Sequence, residues 1–185
     1  DFVNEYSGDL TIELIANPQF STTNNIYSLW LAREKVRESF LLIESDLVFE
    51  SSQLTNLLYP NKTAVSHMQP WMNGTTITMD SLNRVRTFGM GGNRSTNAIH
   101  YKTVNIYSLS DYSWRKVIER LDNRISSERV NEYYEVVFKE MIADGSLSME
   151  GVIFDPDSWY EIDTPADLLI AEDIFGENDV RFGAY

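Results

Sequence analysis

The chain has 185 residues, enough for one domain, and its 43% hydrophobic and 23% charged residues are ordinary globular usage, which excludes disordered, collagenous and low-complexity classes. Lys and Arg number 15 against 28 Asp and Glu, a formal charge of −13 that speaks against nucleic acid and anionic membranes as partners, and no apolar run reaches the roughly 18 residues of a membrane helix. With no cysteine, only His67 and His100, and no signal peptide at Asp1-Phe2-Val3-Asn4-Glu5, disulfides, thiolate sites and three-histidine metal sites are excluded and a cytoplasmic location is expected.

Residues 11–16 read as a strand ending at Asn17-Pro18. Thr22 or Thr23 can cap a helix from about Asn25 to Ser39, with Ile26, Leu29, Trp30, Val36 and Phe40 on its apolar side. Phe40-Leu41-Leu42-Ile43 reads as a strand buried on both faces, and Ser51 or Ser52 opens a short helix to about Leu58. This alternation argues for a mostly parallel sheet covered by helices. Further strands are expected at 63–68, 75–80, 82–88 and 101–107, with Asn73-Gly74 as a hairpin signal. Helices follow at about 111–122 and 128–143, the second ending at Asp144-Gly145. A strand at 158–162 leads into Thr164-Pro165-Ala166-Asp167, a capping-box pattern with proline at the first helical position.

Walker, dinucleotide-binding, zincin and nucleophile-elbow motifs are absent, and Gly89-Met90-Gly91-Gly92 lies between strands. The chemistry must therefore come from placed acids. Asp46 and Asp163 each follow an apolar strand, where open α/β sheets bind ligands. As a pair they could share a hard cation such as Mg2+; alternatively each is a turn or cap residue. Between Asp80 and Asp111 there is no acid, while Arg84, Arg86, Arg94, His100 and Lys102 fall there, around a loop rich in Gly, Ser and Asn. Either this is a mobile lid meeting an anionic substrate through Arg94 and Lys102, or it is a solvated hairpin. Trp71, Tyr133, Trp159 and Tyr160 could line an ammonium pocket or pack in the core.

Three segments in one order carry a family resemblance: Asn17-Pro18-Gln19-Phe20 with Thr23-Asn24-Asn25-Ile26-Tyr27-Ser28-Leu29; Leu42-Ile43-Glu44-Ser45-Asp46-Leu47-Val48-Phe49; and Trp159-Tyr160-Glu161-Ile162-Asp163-Thr164-Pro165-Ala166-Asp167-Leu168. They resemble the N-P-x-[YF]…N-N-x-Y-S-L, strand-Asp and W-x-E-I-D-T-x-x-D-L segments of the phosphocholine cytidylyltransferases. That resemblance implies a Rossmann-like α/β fold, a mixed sheet sandwiched by helices, of the nucleotide-diphospho-sugar transferase type. It implies Mg2+ on Asp46 and Asp163, nucleotide near Asn25 and Ser28, and the amino-alcohol head group at Trp71 and Tyr133. The implied reaction is transfer of CMP from CTP to phosphocholine or 2-aminoethylphosphonate, with loss of pyrophosphate. A sugar-1-phosphate nucleotidyltransferase or a catalytically silent module are the alternatives. The family's N-terminal G-x-G-x-R loop and P-K segment have no match in residues 1–20. Residues 1–176 are accordingly expected to be a nucleotidyltransferase domain without its N-terminal part, inactive alone, and 177–185 a linker or the start of a following domain, such as the fused aminotransferase of some relatives.

Overall fold

A computed structural model describes residues 11–70, 72–90 and 98–176. Helix α1 (Asn25–Ala32) begins where the Asn24 side chain accepts from the Asn25 amide, and it buries Ile26 and Leu29. It ends seven residues before the expected Ser39. Beyond Ala32 the chain is Arg-Glu-Lys-Val-Arg-Glu-Ser, with one apolar anchor, Val36, so a continued helix would bury little. The expected strand at 11–16 is absent. Those residues are exposed and pair with no strand among the described residues; Glu13 instead forms an ion pair with Lys35.

The strands are β1 (Phe40–Ile43), β2 (Leu47–Phe49), β3 (Lys62–His67), β4 (Thr76–Met79), β5 (Val85–Gly89), β6 (Tyr101–Leu109), β7 (Glu150–Ile153) and β8 (Trp159–Glu161), with helices α2 (Asp111–Ser126), α3 (Glu135–Ala143) and α4 (Pro165–Phe175). A 3-10 turn covers Ser51–Leu57. Six strands form a sheet ordered β5-β4-β6-β3-β7 with β1 also on β6; β2 and β8 form a separate ribbon. The mostly parallel sheet expected from the alternating elements is corrected. Among the described residues only β3–β7 pair parallel, and the remaining pairings are antiparallel. The sheet is mixed, with helices against it, as the resemblance implies. Asn73-Gly74 does not close a hairpin, because β6 separates β3 from β4. β1 is half-buried rather than enclosed on both faces.

The long strand β6 organises the core. Tyr107 and Leu109 join α1, α2 and α3 residues including Leu29, Trp114, Val117, Phe138 and Met141 on one side. Val104 and Ile106 join Leu57, Ala64, Phe154 and Trp159 on the other. One edge of β6 is shared: Ile106 to Leu109 pair with β1, and Tyr101 and Lys102 with β4. The three residues between are bridged by loops, Thr103 N donating to Thr75 O (3.1 Å) and Glu44 N to Asn105 O (3.3 Å). Asn105 has φ of 58°, a left-handed conformation that asparagine tolerates. This break in the edge opens the sheet where the acids gather.

The end of β8 is fixed by the expected capping box. The Thr164 side chain accepts from the Asp167 amide, and the Asp167 carboxylate accepts from the Thr164 amide at 2.8 Å. Thr164→Ala should cost about 1 kcal/mol in thermal or urea unfolding. Thr164→Ser, which keeps the hydroxyl, should stay near the parent.

Candidate active site

Two strand ends bring the acids together. β2 and β8 pair antiparallel with Leu47 opposite Glu161, and Ile162 N donates to Asp46 O at 2.8 Å. Residues 44–46 are thereby held beside 161–163, although more than 100 positions separate them along the chain. Asp46 and Asp163 line one cavity of about 420 Å³, together with Asn25, Glu44, Lys102, Tyr133, Glu135 and Glu161. The tight group within it is Glu44, Asp46 and Glu161, each offering an oxygen within 4.8 Å of the others. Asp163 is exposed and is not one of those three.

Each acid is placed by different partners. Glu44 Oε1 accepts from Tyr134 Oη (2.8 Å) and Asn25 Nδ2 (3.3 Å). Burial pushes the Glu44 carboxyl up, the Tyr134 bond offsets part of this, and the charge of Asp46 adds to it. Glu161 accepts from Asn105 Nδ2 (2.9 Å) and pairs with Lys102 Nζ (3.1 Å). Asp46 Oδ1 is buried and has no hydrogen-bond partner among the described residues. An orphaned carboxylate oxygen beside two further carboxylates is what a hard cation satisfies, so the donor set suits Mg2+. Glu135, at the start of α3, is raised to about 7, chiefly by burial and further by Glu44.

The other expected site residues are distributed unevenly. Asn25 lies in the cavity wall, its Oδ1 accepting from Tyr134 N (3.0 Å) while its Nδ2 donates to Glu44 (3.3 Å). It therefore ties α1 to the start of α3 and steadies Glu44. Ser28 lines an adjoining cavity with Asn25, Glu44, Asp46 and Tyr133, and its Oγ accepts from Asn17 Nδ2 (3.1 Å). Tyr133 is 55% exposed and reaches both cavities. Trp71 and Arg94 lie outside the described residues. Lys102 differs from the lid cation expected of it: it sits on β6, 2% exposed, donating to Thr103 O (2.9 Å) and paired with Glu161. Its long stem is buried along the sheet, and the residue lines the cavity. Arg86 is held by Asp80 at 2.6 Å. Trp159 packs in the core, as the alternative reading had it, and Tyr160 lines a neighbouring pocket with Trp159, Glu161 and Asp163.

Glu44, Glu161 and Glu135 are absent from the expected set. The first two carried a legible signal. Glu44-Ser45-Asp46 and Glu161-Ile162-Asp163 both place acids two apart, on one face of extended chain.

No protein-family model matches the chain. The chain is 32% identical over 179 residues to CMP-5'-(3-aminopropyl)phosphonate synthase of Streptomyces rubellomurinus, a match covering 91% of the chain and 28% of that protein. Its fold matches the CTP:phosphocholine cytidylyltransferase of Streptococcus pneumoniae with a TM-score of 0.72 at 19% identity, covering 86% of this chain and 67% of that one. The chain resembles that synthase in sequence and shares the fold of this cytidylyltransferase. The inositol-1-phosphate CTP transferase of T. maritima shares this fold too, with a TM-score of 0.63 at 21% identity over 87% of the chain and 64% of the other. The chain thus spans under a third of the length of the curated relative. Among the described residues no helix is long and apolar enough to cross a membrane.

Proposed function

We propose that the protein to which this chain belongs transfers CMP from CTP to a small amine-bearing phosphonate or phosphate, releasing pyrophosphate. The observation that carries the reading is the convergence of Glu44, Asp46 and Glu161 around an orphaned Asp46 oxygen, in a nucleotidyltransferase fold. The similarity to an aminopropylphosphonate-handling synthase supports the choice of acceptor.

In the reaction an oxygen of the acceptor attacks the α-phosphorus of CTP. One P–O bond forms, the bond from that phosphorus to the bridging oxygen breaks, and pyrophosphate carries away the electron pair. Such transfer needs positioning and charge neutralisation more than covalent help. Glu44, Asp46 and Glu161 would hold Mg2+, with Asp163 at the cavity mouth as a further carboxylate. The cation would supply neutralisation of the phosphate charge. A cavity lined by Glu44, Asp46, Glu135, Glu161 and Asp163, with Lys102 as its cation among the described residues, is otherwise hostile to a triphosphate. Lys102, held by Glu161 and the Thr103 carbonyl, contributes positive charge to the cavity wall on the side of the acceptor's phosphonate. Tyr133 flanks its amine, and Asn25 and Ser28 frame the nucleotide side; Trp71 and Arg94, outside the described residues, are the further candidates for contact with the amine and the anionic end. Full activity requires residues beyond this chain. A fused aminotransferase accords with the greater length of the relative, of which the chain spans 28%.

A pyrophosphate-release screen of the full-length protein tests this. Four nucleoside triphosphates are combined with aminoalkylphosphonates, phosphocholine and sugar-1-phosphates. CTP with an aminoalkylphosphonate or phosphocholine should give the fastest turnover, abolished by chelating the divalent cation. Preference for a sugar-1-phosphate, or no turnover above background, refutes the reading.

A further inference from the structure

Glu135 has one carboxylate oxygen that neither the cation nor a donor among the described residues accounts for. It opens α3, is 4% exposed, and lines the cavity beside Tyr133 and Lys102. Its Oε2 is buried and has no hydrogen-bond partner among the described residues. An acid in the first turn of a helix is favoured by the helix dipole, but that preference is met by an exposed side chain and does not explain burial with one oxygen unsatisfied. Glu135 is not one of the three clustered carboxylates. The cation lining the cavity, Lys102, is committed to Glu161 and to the Thr103 carbonyl. Among the described residues no donor is left for it; one arriving with a ligand would satisfy it, and a positive one is favoured beside so many acids.

A primary ammonium brings three N–H donors, whereas a quaternary ammonium brings charge and none. We propose that Glu135 accepts a hydrogen bond from the primary ammonium of the acceptor substrate, and thereby sets a preference for primary amines over their N-trimethyl analogues. This rests on the CMP-transfer reading above and names the specificity-determining residue within it. Tyr133, two positions earlier and largely exposed, gives the alkyl chain and ammonium an aromatic wall.

The test uses the full-length protein, CTP, and (3-aminopropyl)phosphonate with its N-methyl, N,N-dimethyl and N,N,N-trimethyl derivatives. In the wild type kcat/KM should fall on the order of 10²-fold or more from the primary to the trimethyl compound, with the main drop where the last N–H is lost. Glu135→Gln should raise KM for the primary amine while leaving kcat within about 3-fold, and should shrink the preference to within about 3-fold. A melting curve establishes that the variant is folded. A flat wild-type methylation series overturns the proposal whether or not the variant folds. A folded Glu135→Gln that keeps the wild-type preference overturns it too, with CMP transfer standing. Turnover of none of the four compounds would instead remove the CMP-transfer reading, and this proposal with it.

Discussion

Asp46→Asn should slow pyrophosphate release by the full-length protein at least about 10³-fold, since the charge stabilisation a bound cation supplies amounts to several kcal/mol. The substitution is nearly isosteric. The backbone bond from Ile162 N to Asp46 O and the Leu47–Glu161 pairing do not involve the side chain, so the β2–β8 ribbon should persist. What changes is one negative charge in a group whose oxygens lie within 4.8 Å of one another. Two such charges repel by roughly 3 kcal/mol at an effective dielectric of 20, less with solvent screening. Without divalent cation, Asp46→Asn should therefore melt no lower than the parent, and the parent's rise in Tm on adding Mg2+ should vanish in the variant. Loss of activity together with undiminished stability separates a cation ligand from a structural acid. A variant that melts well below the parent in chelator would place Asp46 among the structural residues.

Glu135→Gln should stabilise the ligand-free protein at alkaline pH by on the order of 3 kcal/mol, given a carboxyl moved from 4.5 to about 7. Burial is the main cause, and the neighbouring Glu44 and Glu161 charges add to it against Lys102. Because the folded pKa lies above the unfolded one, the folded state binds more protons between those values. Stability contributed by the protonated acid is complete below about pH 4.5 and is lost as pH rises through about 7. The glutamine does not titrate. Thermal unfolding across pH should therefore show the two proteins alike near pH 4 and the variant higher by roughly 5–10 °C near pH 8.5. A constant difference across that range would mean that Glu135 titrates as it does in water. A buried acid that costs stability in the free protein is consistent with a group whose partner arrives with the substrate.

Much of the fold was legible where local chemistry and packing agree. Thr164-Pro165-Ala166-Asp167 opens α4 as read because every donor of the cap is supplied within four residues. Phe40–Ile43 and 101–107 appear as strands because their apolar content demands a sheet. The expected helix at 128–143 begins only at Glu135, since Glu128 adopts φ of 60° and the chain turns before it. That shift hid the site's least expected member: in the middle of a helix Glu135 reads as a solvated acid, whereas at its first position it faces the cavity. β7 (Glu150–Ile153) went unread because it is four residues long and contains a glycine, and its parallel partner β3 is remote in sequence. Lys102 read as a lid cation because charge spacing does not reveal that its side chain is buried along the central strand. The strand-end acids Asp46 and Asp163 were legible from position, but the closeness of Glu44 and Glu161 to Asp46 follows from antiparallel register, which one-dimensional spacing does not contain.

The direct measurement is Mn2+ binding followed by electron paramagnetic resonance, in the presence of CTP, for the full-length protein and for its Asp46→Asn and Glu161→Gln variants. One ion bound per chain in the parent, with affinity lowered at least about 10-fold in both variants, is the expected result for ligands drawn from the two strand ends. Equal stoichiometry and affinity in all three proteins would contradict a cation held where residues 44–46 meet 161–163.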